Sequence, residues 1–197
     1  MSSQSASPQD LEFRPVTPER WRDLESLFGE HGACDGCWCM WWRLTRSEFA
    51  ERRGQENKGA LKRIVGAGEV PGLLAYADGK PVAWCSVAPR ETFAALERSR
   101  TLARIDEEPV WSIVCFFVGI PFRGKGVTQK LLRAAVEYAQ ARGAKIVEGY
   151  PVDPVGRLSS ASAYTGLAST FRQAGFVEMA RRSETRPIMR RVVAERQ

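Results

Sequence analysis

Hydrophobic residues between positions 11 and 193 follow two spacings in turn, short alternating or continuous runs and longer stretches of period three to four, and each predicts its own kind of element. Leu11–Val16 is of the first kind and predicts a short strand. Thr17 then stands as an N-cap with Pro18 in the first helical position, and Trp21, Leu24, Leu27 and Phe28 fall on one helical stripe that Gly29 ends. A second helix is predicted from Arg46 or Ser47 to Ile64, closed by Gly66 and Gly68 before Pro71. Gly72–Ala77 and Pro81–Ala88 flank Asp78-Gly79-Lys80, and an Asp-Gly pair between apolar runs predicts an antiparallel hairpin.

Val110–Val118 is apolar throughout, rich in β-branched and aromatic residues and without helical period, so it predicts a strand covered on both faces at the sheet centre. Arg123-Gly124-Lys125-Gly126 follows, then Val127, Leu131, Leu132, Ala135, Val136 and Ala139 on one helical stripe, then Arg142-Gly143 as a stop. With Ala144–Val147 as the next strand, this is a strand–turn–helix–strand unit, whose crossover makes the two strands parallel and right-handed. Beyond Pro151 and Pro154 comes a Ser, Gly and Pro-rich loop, then a short helix within Ala168–Ala174 ending at Gly175, then Phe176–Arg182 and Pro187–Val193 as a closing hairpin. The element order is mixed α/β. Residues 1–10 are polar and Ser-rich and predict a disordered tail, leaving 11–197 as one domain.

Composition changes this picture mainly by exclusion. The 197 residues are 44% hydrophobic and 26% charged, enough for a core that needs neither metal nor disulfide. There is one histidine, His31, so a catalytic metal site of two or three histidines cannot be built, and a triad mechanism would have to run through that one ring. The most apolar stretch, Val110–Phe122, is too short and too broken to span a membrane, so no membrane association is expected. The net charge of +6 favours an anionic partner without naming one. Five cysteines, three of them within Cys34–Cys39, together with a polar start, predict free thiols and a cytoplasmic protein.

The basic turn carries the chemistry. A buried strand leading through Arg123-Gly124-Lys125-Gly126 into an amphipathic helix suits a phosphate, because the first-turn amides point outward, the helix dipole is positive there, and glycine lets the ligand come close. Neither a dinucleotide fingerprint nor a Walker loop is present. The segment Val118-Gly-Ile-Pro-Phe-Arg-Gly-Lys-Gly-Val-Thr-Gln-Lys-Leu-Leu resembles the acyl-CoA motif of the GCN5-related N-acetyltransferases, Gln/Arg-x-x-Gly-x-Gly/Ala, with Arg123 and Gly126 matching and Thr128 in place of the final small residue. The resemblance follows the element order over residues 11–192, with specific motif content from Val110 to Phe176. It implies a single-domain, mostly antiparallel mixed sheet with a central splayed parallel pair and helices on both faces. It also implies acetyl-CoA as co-substrate, its pyrophosphate at Arg123, Gly124, Lys125, Gly126, Val127 and Thr128, and its pantetheine arm on the backbone of Phe117 and Val118. The expected reaction is acetyl transfer to a primary amine by direct attack in a ternary complex.

An alkyl amine with a pKa near 10.4 is neutral in roughly one molecule in a thousand at pH 7, so a base or water chain is needed. Glu148, at the end of the strand after the phosphate helix, is the first candidate and Asp153 the second; a solvated strand-end carboxylate is the competing reading of Glu148. The family's usual proton donor to the departing thiolate, a tyrosine four residues before the Gly-Phe pair, is here Phe171, which is expected beside the cofactor but cannot donate. Tyr164 is the substitute. Cys115 could face the same cleft, though a cysteine in an apolar strand is more often an inert small hydrophobe.

His31, Cys34, Cys37 and Cys39 are zinc-capable, but they come from one short segment with no second knuckle, which argues against a metal. Trp38, Trp41 and Trp42 fit one helical stripe, and in the family this region lines the acceptor pocket. With Arg43 beside them they predict a wall for a small apolar or aromatic amine, core packing being the alternative for at least one ring; a peptide acceptor and a homodimer are left open. Two other readings compete: an acyl-CoA-binding sensor that has lost its acid at Phe171, and a nucleic-acid module built on Arg181-Arg182 and Arg190-Arg191. The second is not expected, since those pairs fall on the last hairpin, where a solvated edge is the commoner cause.

Overall fold

In the computed structural model, which describes residues 10–156 and 163–193, these patterns become one seven-stranded sheet with helices on both faces. The strands are β1 (Glu12–Pro15), β2 (Gly72–Ala77), β3 (Lys80–Pro89), β4 (Trp111–Val118), β5 (Ile146–Gly149), β6 (Val177–Arg181) and β7 (Pro187–Val192). The helices are α1 (Trp21–Phe28), α2 (Arg46–Glu51), α3 (Gln55–Gly66), α4 (Ala94–Glu97), α5 (Val127–Gln140) and α6 (Ala168–Gln173). Sheet order is β1-β2-β3-β4-β5-β7-β6, with β4 at the centre. Only β4 and β5 run parallel; the other pairs are antiparallel. The polar stretch read as a tail lies, up to residue 9, outside the described residues.

The Asp-Gly hairpin forms because Asp78 and Gly79 both take the left-handed conformation, φ 50° and 72°, that a two-residue turn between twisted strands requires. The single helix predicted from 46 to 64 is two. Thr45 caps α2 through a reciprocal bond with Glu48, and the chain then breaks at Gly54, φ 75°. That break is functional for the fold: the Gly54 amide bonds the Gly36 carbonyl at 3.1 Å, and Asn57 Nδ2 donates to the same oxygen at 3.2 Å. A Cβ on Gly36 would lie 2.6 Å from the Gly54 nitrogen, so only glycine permits the approach that pins the α1–α2 connection. The closing hairpin attaches through its second strand, β7 lying between β5 and β6. A short helical stretch after β3, Arg90–Thr92 and α4, gave no periodic signal in sequence.

Two features of β4 open the sheet. Its ladder with β5 covers only Trp111–Ile113 against Val147–Gly149, and beyond that the two strands part. Opposite β3, Ser86 pairs Cys115 while Val87 pairs Ile113, so Val114 is an extra, bulged residue. Ile113, Phe116 and Val118 pack on the α5 side with Val127, Leu131 and Leu132, whereas Cys115 and Phe117 meet the α1 side, among Phe28, Trp38 and Trp84.

Candidate active site

The turn into α5 has the geometry of an anion cradle. Gly124 (φ 73°) and Gly126 (φ 74°, the N-cap) are left-handed, and a Cβ at either would meet nothing within 4 Å, so the space above them is open. The first amides to bond back into the helix are those of Gln129 and Lys130, both on the Gly126 carbonyl at 3.1 and 3.3 Å. The amides of Val127 and Thr128 therefore have no intrahelical acceptor, while the Val127 side chain is core and Thr128 borders the cleft below. Arg123 and Lys125 are exposed; Arg123 Nε donates to the Val118 carbonyl at 2.9 Å, which ties the turn to the end of β4.

From this turn a cleft of about 570 Å³ runs along the parted edge of β4 to an aromatic chamber. Arg123 and Thr128 border one end, Cys115 to Val118 the middle, and Trp41, Trp42, Phe49 and Tyr164 the other end. The backbone directions in the middle correct one expectation. Gly119 N–H donates to the Val82 carbonyl, which makes Phe117 and Trp84, two residues along in the same register, a pair that bonds within the β3–β4 ladder. The Phe117 backbone thus faces β3, and only its side chain borders the cleft; the groups facing the gap belong to Phe116, whose N–H bonds the Tyr164 carbonyl at 2.6 Å, and Val118.

The chamber is not built on a helical stripe. Between α1 and α2 the backbone is left-handed at Gly29, Gly32, Ala33, Asp35, Gly36, Trp38 and Cys39, which coils the segment into successive turns. Trp38 accordingly points into the core, 1% exposed, stacked on Trp21 at 6.2 Å and edge-on to Phe28 at 5.6 Å, and is no part of the wall. Trp41 and Trp42 do border the cleft. Arg43 does not: its guanidinium lies 4.8 Å over the Phe93 ring and donates to the Pro71 carbonyl at 3.4 Å.

Glu148 is displaced from the role of base. It is 1% exposed, and its carboxylate accepts from Arg90 Nη1 at 2.8 Å, Arg190 Nε at 2.6 Å and the Tyr150 hydroxyl at 2.5 Å. With both oxygens held between two arginines and the carboxylate buried away from the cleft, it cannot reach an incoming amine. Asp153 is also committed, bonding Arg172 at 2.9 Å and Arg181 at 2.7 Å, and hydrogen bonds from those two hold its carboxyl below the usual range. Phe171 is fully buried between Gly149 and Gly166, edge-on to Phe116 and Phe176, rather than beside the open cleft. Tyr164 remains at the chamber; burial raises its phenol above the ordinary range, with Arg186 opposing. The arginine pairs on the last hairpin are engaged within the molecule: Arg181 with Glu178 and Asp153, Arg182 with the Ala103 and Arg104 carbonyls, Arg190 with Glu148 and Asp106, Arg191 with the Ala174 carbonyl. Among the described residues no three His, Cys, Asp or Glu side chains converge as a metal site, and no helix is long and apolar enough to cross a membrane.

Phe49, Cys37 and Cys39 at the chamber went unrecognised in the sequence as lining residues, since nothing in their spacing separates lining from core.

This arrangement has parallels among solved structures. PaiA N-acetyltransferase from Thermoplasma acidophilum, in complex with coenzyme A, superposes with a TM-score of 0.53 at 14% identity, covering 94% of this chain and 100% of its own. Ribosomal-protein-alanine N-acetyltransferase from Brucella melitensis gives 0.51 at 17%, covering 92% and 99%, and Ard1 from Thermoplasma volcanium 0.51 at 18%, covering 94% and 99%. At such identities the likeness is one of fold. No curated protein matches the sequence. The family model for "Acetyltransferase (GNAT) family" matches residues 38–154, more than half of the chain, taking in Trp41, Trp42 and Phe49, the bulged strand and the basic turn into α5. The chain belongs to the GNAT acetyltransferase family.

Proposed function

We propose that this acetyltransferase moves an acetyl group from acetyl-CoA to a small apolar or aromatic primary amine, by direct attack with both substrates in the cleft. The observation that carries the reading is the continuity of that cleft, from the open amides at Val127 and Thr128, past the parted edge of β4, to Trp41, Trp42, Phe49 and Tyr164. The residues present fit the cofactor: two left-handed glycines with free space above them, exposed Arg123 and Lys125, and a helix N-terminus suited to a pyrophosphate. PaiA, similar in fold, is solved in complex with coenzyme A, which supports the same cofactor here. Acetyl-CoA supplies the activated acyl carbon; the chain's residues hold and orient the partners and handle protons.

Because Glu148 and Asp153 are spent in ion pairs, neither takes the proton from the amine. The carboxylate at the cleft is Asp35, itself paired with Arg53 at 2.9 Å near solvent, so the acceptor sheds its proton to water at the mouth and enters neutral. An apolar chamber favours that neutral form, since a charged ammonium would lose hydration there without a partner. Tyr164, kept protonated by burial, is the donor to the departing thiolate. A mass-spectrometric screen of acetylated products over an amine and peptide panel tests the reading, with Tyr164→Phe expected to lower kcat at least about tenfold on the best acceptor. Tight acetyl-CoA binding with no product over the panel would replace the enzyme by a sensor; unchanged kcat would remove Tyr164 as the acid.

A further inference from the structure

Tyr164 reaches the cleft from residues 163–166, a stretch that belongs to no helix or strand, so its aim depends on what fastens that stretch. Backbone bonds hold it on two sides. The Phe116 amide donates to the Tyr164 carbonyl at 2.6 Å, and the Val152 amide to the Gly166 carbonyl at 2.9 Å. Between them Thr165 is fully buried, and its hydroxyl oxygen accepts from Arg186 Nη1 at 2.8 Å. The same nitrogen lies 3.5 Å from the Tyr150 carbonyl, just past β5. Arg186 closes the β6–β7 turn, whose Thr185 carbonyl accepts from the Asp153 amide at 2.9 Å. One guanidinium therefore joins that turn, the end of β5 and the stretch that carries Tyr164.

Arg186 differs from the arginines that brace this end of the molecule. Arg90, Arg172, Arg181 and Arg190 each end on a carboxylate. Among the described residues Arg186 donates only to neutral oxygens, so its charge is left uncompensated one residue away from Tyr164. From this placement we infer that Arg186 is a positioning residue for acetyl transfer: through Thr165 it holds Tyr164 at the cleft, with its own positive charge on that side of the stretch. The inference rests on the reading of Tyr164 as donor to the departing sulfur. When the phenol gives up its proton the O–H bond breaks, the proton goes to sulfur, and a phenolate remains until water returns a proton. A nearby guanidinium stabilises that phenolate more than it does the phenol. A brace needs no net charge; a group that supports a forming phenolate does. The electrostatics agree, since burial raises the Tyr164 phenol and Arg186 opposes the rise.

The test begins on the full-length protein without ligand. Arg186→Met is expected to speed amide hydrogen exchange at Phe116, whose acceptor is the Tyr164 carbonyl, about tenfold or more, and to leave Phe117, bonded within the β3–β4 ladder, at its wild-type rate. Thr165→Val removes the oxygen but keeps the charge, and is expected to loosen Phe116 in the same way; it carries the exchange test by itself if Arg186→Met fails to fold. On the best acceptor, Arg186→Met is expected to lower kcat about tenfold with both KM values within about twofold, and Arg186→Lys to return kcat to within about threefold of wild type. Added to Tyr164→Phe, Arg186→Met is expected to lower kcat no further. Unchanged exchange at Phe116, a loss carried by KM, no rescue by lysine, or an undiminished loss in the Tyr164→Phe background would overturn the inference. Tyr164→Phe alone tests the reading beneath it. Full kcat in that variant removes Tyr164 as the acid, whereas a lowered kcat there with Arg186→Met silent removes only the role of Arg186.

Discussion

Replacing Glu148 by glutamine separates an anchoring carboxylate from a catalytic one. Its two oxygens lie between Arg90, 1% exposed, and Arg190, with the Tyr150 hydroxyl as a third donor. Removing one charge from a buried pair costs about 3–5 kcal/mol, because the remaining guanidinium is left short of charge compensation in a dry site. The lower end applies here. Glutamine keeps one acceptor oxygen, Arg90 still reaches Glu97 at 2.8 Å and the Leu102 carbonyl at 2.8 Å, and Arg190 still grips Asp106. A loss of about 3 kcal/mol lowers Tm by about 6–12 °C in a chain of this size. Urea unfolding should show the same loss as a lower midpoint at unchanged slope. The pH profile of kcat/KM, read below the shifted Tm, should keep its ionisations, since Glu148 touches neither cleft nor substrate. A Tm within about 2 °C of wild type together with the disappearance of an ionisation from that profile would refute this reasoning and restore Glu148 as the base.

Gly126→Ala should cost only about 1–2 kcal/mol, since its Cβ meets no protein atom and the penalty is that of a left-handed alanine, yet it should raise the KM for acetyl-CoA about tenfold or more by filling the space above the turn; an unchanged KM would empty the cradle of its role. Trp38→Ala and Trp41→Ala should fall into different classes: the first losing about 3–5 kcal/mol in chemical denaturation as a core truncation, the second raising the acceptor KM across an amine panel with a smaller stability loss. Acid should destabilise the fold through Asp106 and Asp153, whose carboxyls are lowered by hydrogen bonds from Arg190 and from Arg172 with Arg181. Their stabilisation is complete above the unfolded carboxylate pKa of about 4 and is lost as pH falls through the lower folded values. Tm should therefore be level from about pH 7 to 5 and decline below about 4, less steeply in Asp153→Asn; an identical slope in that variant would show the pairing to be inert.

The elements that were legible in the sequence are those whose signals are local. The Asp78-Gly79 turn requires left-handed backbone at two consecutive residues, and the stripe from Val127 to Ala139 requires only helical period, so both follow from a few adjacent positions. The break between α2 and α3 was not legible, because its cause is the contact of Gly54 with Gly36, eighteen positions earlier and on another turn. The glycine turn into α5 was legible for the same reason as the hairpin. Glu148 was not: its neighbours across the ladders are Ser112 and Arg190, and its further partner Arg90 comes from the unpredicted turn after β3, so its burial depended on strand register and on an element with no periodic signal. Trp38 failed through backbone handedness, since spacing can assign a face only once a regular helix or strand is present.

The bulge at Val114 shows why an apolar strand can hide a site. Strict alternation from Ile113 would send Cys115 and Phe117 to the α5 face with it, and Phe116 and Val118 to the opposite one. One extra residue reverses all four, so that Cys115 and Phe117 meet Cys39 and the aromatic chamber while Phe116 and Val118 cover α5. It also falls where the β4–β5 ladder stops, leaving the backbone of Phe116 and Val118 facing the gap in the middle of the cleft. A run that is hydrophobic at every position tolerates either assignment of faces, which is why Val110–Val118 reads as core and gives no sign of the reversal. The faces that Cys115 to Val118 turn toward the cleft thus depend on a change of register that hydrophobic patterning does not encode, while the helix that follows the basic turn depends on a pattern that it does.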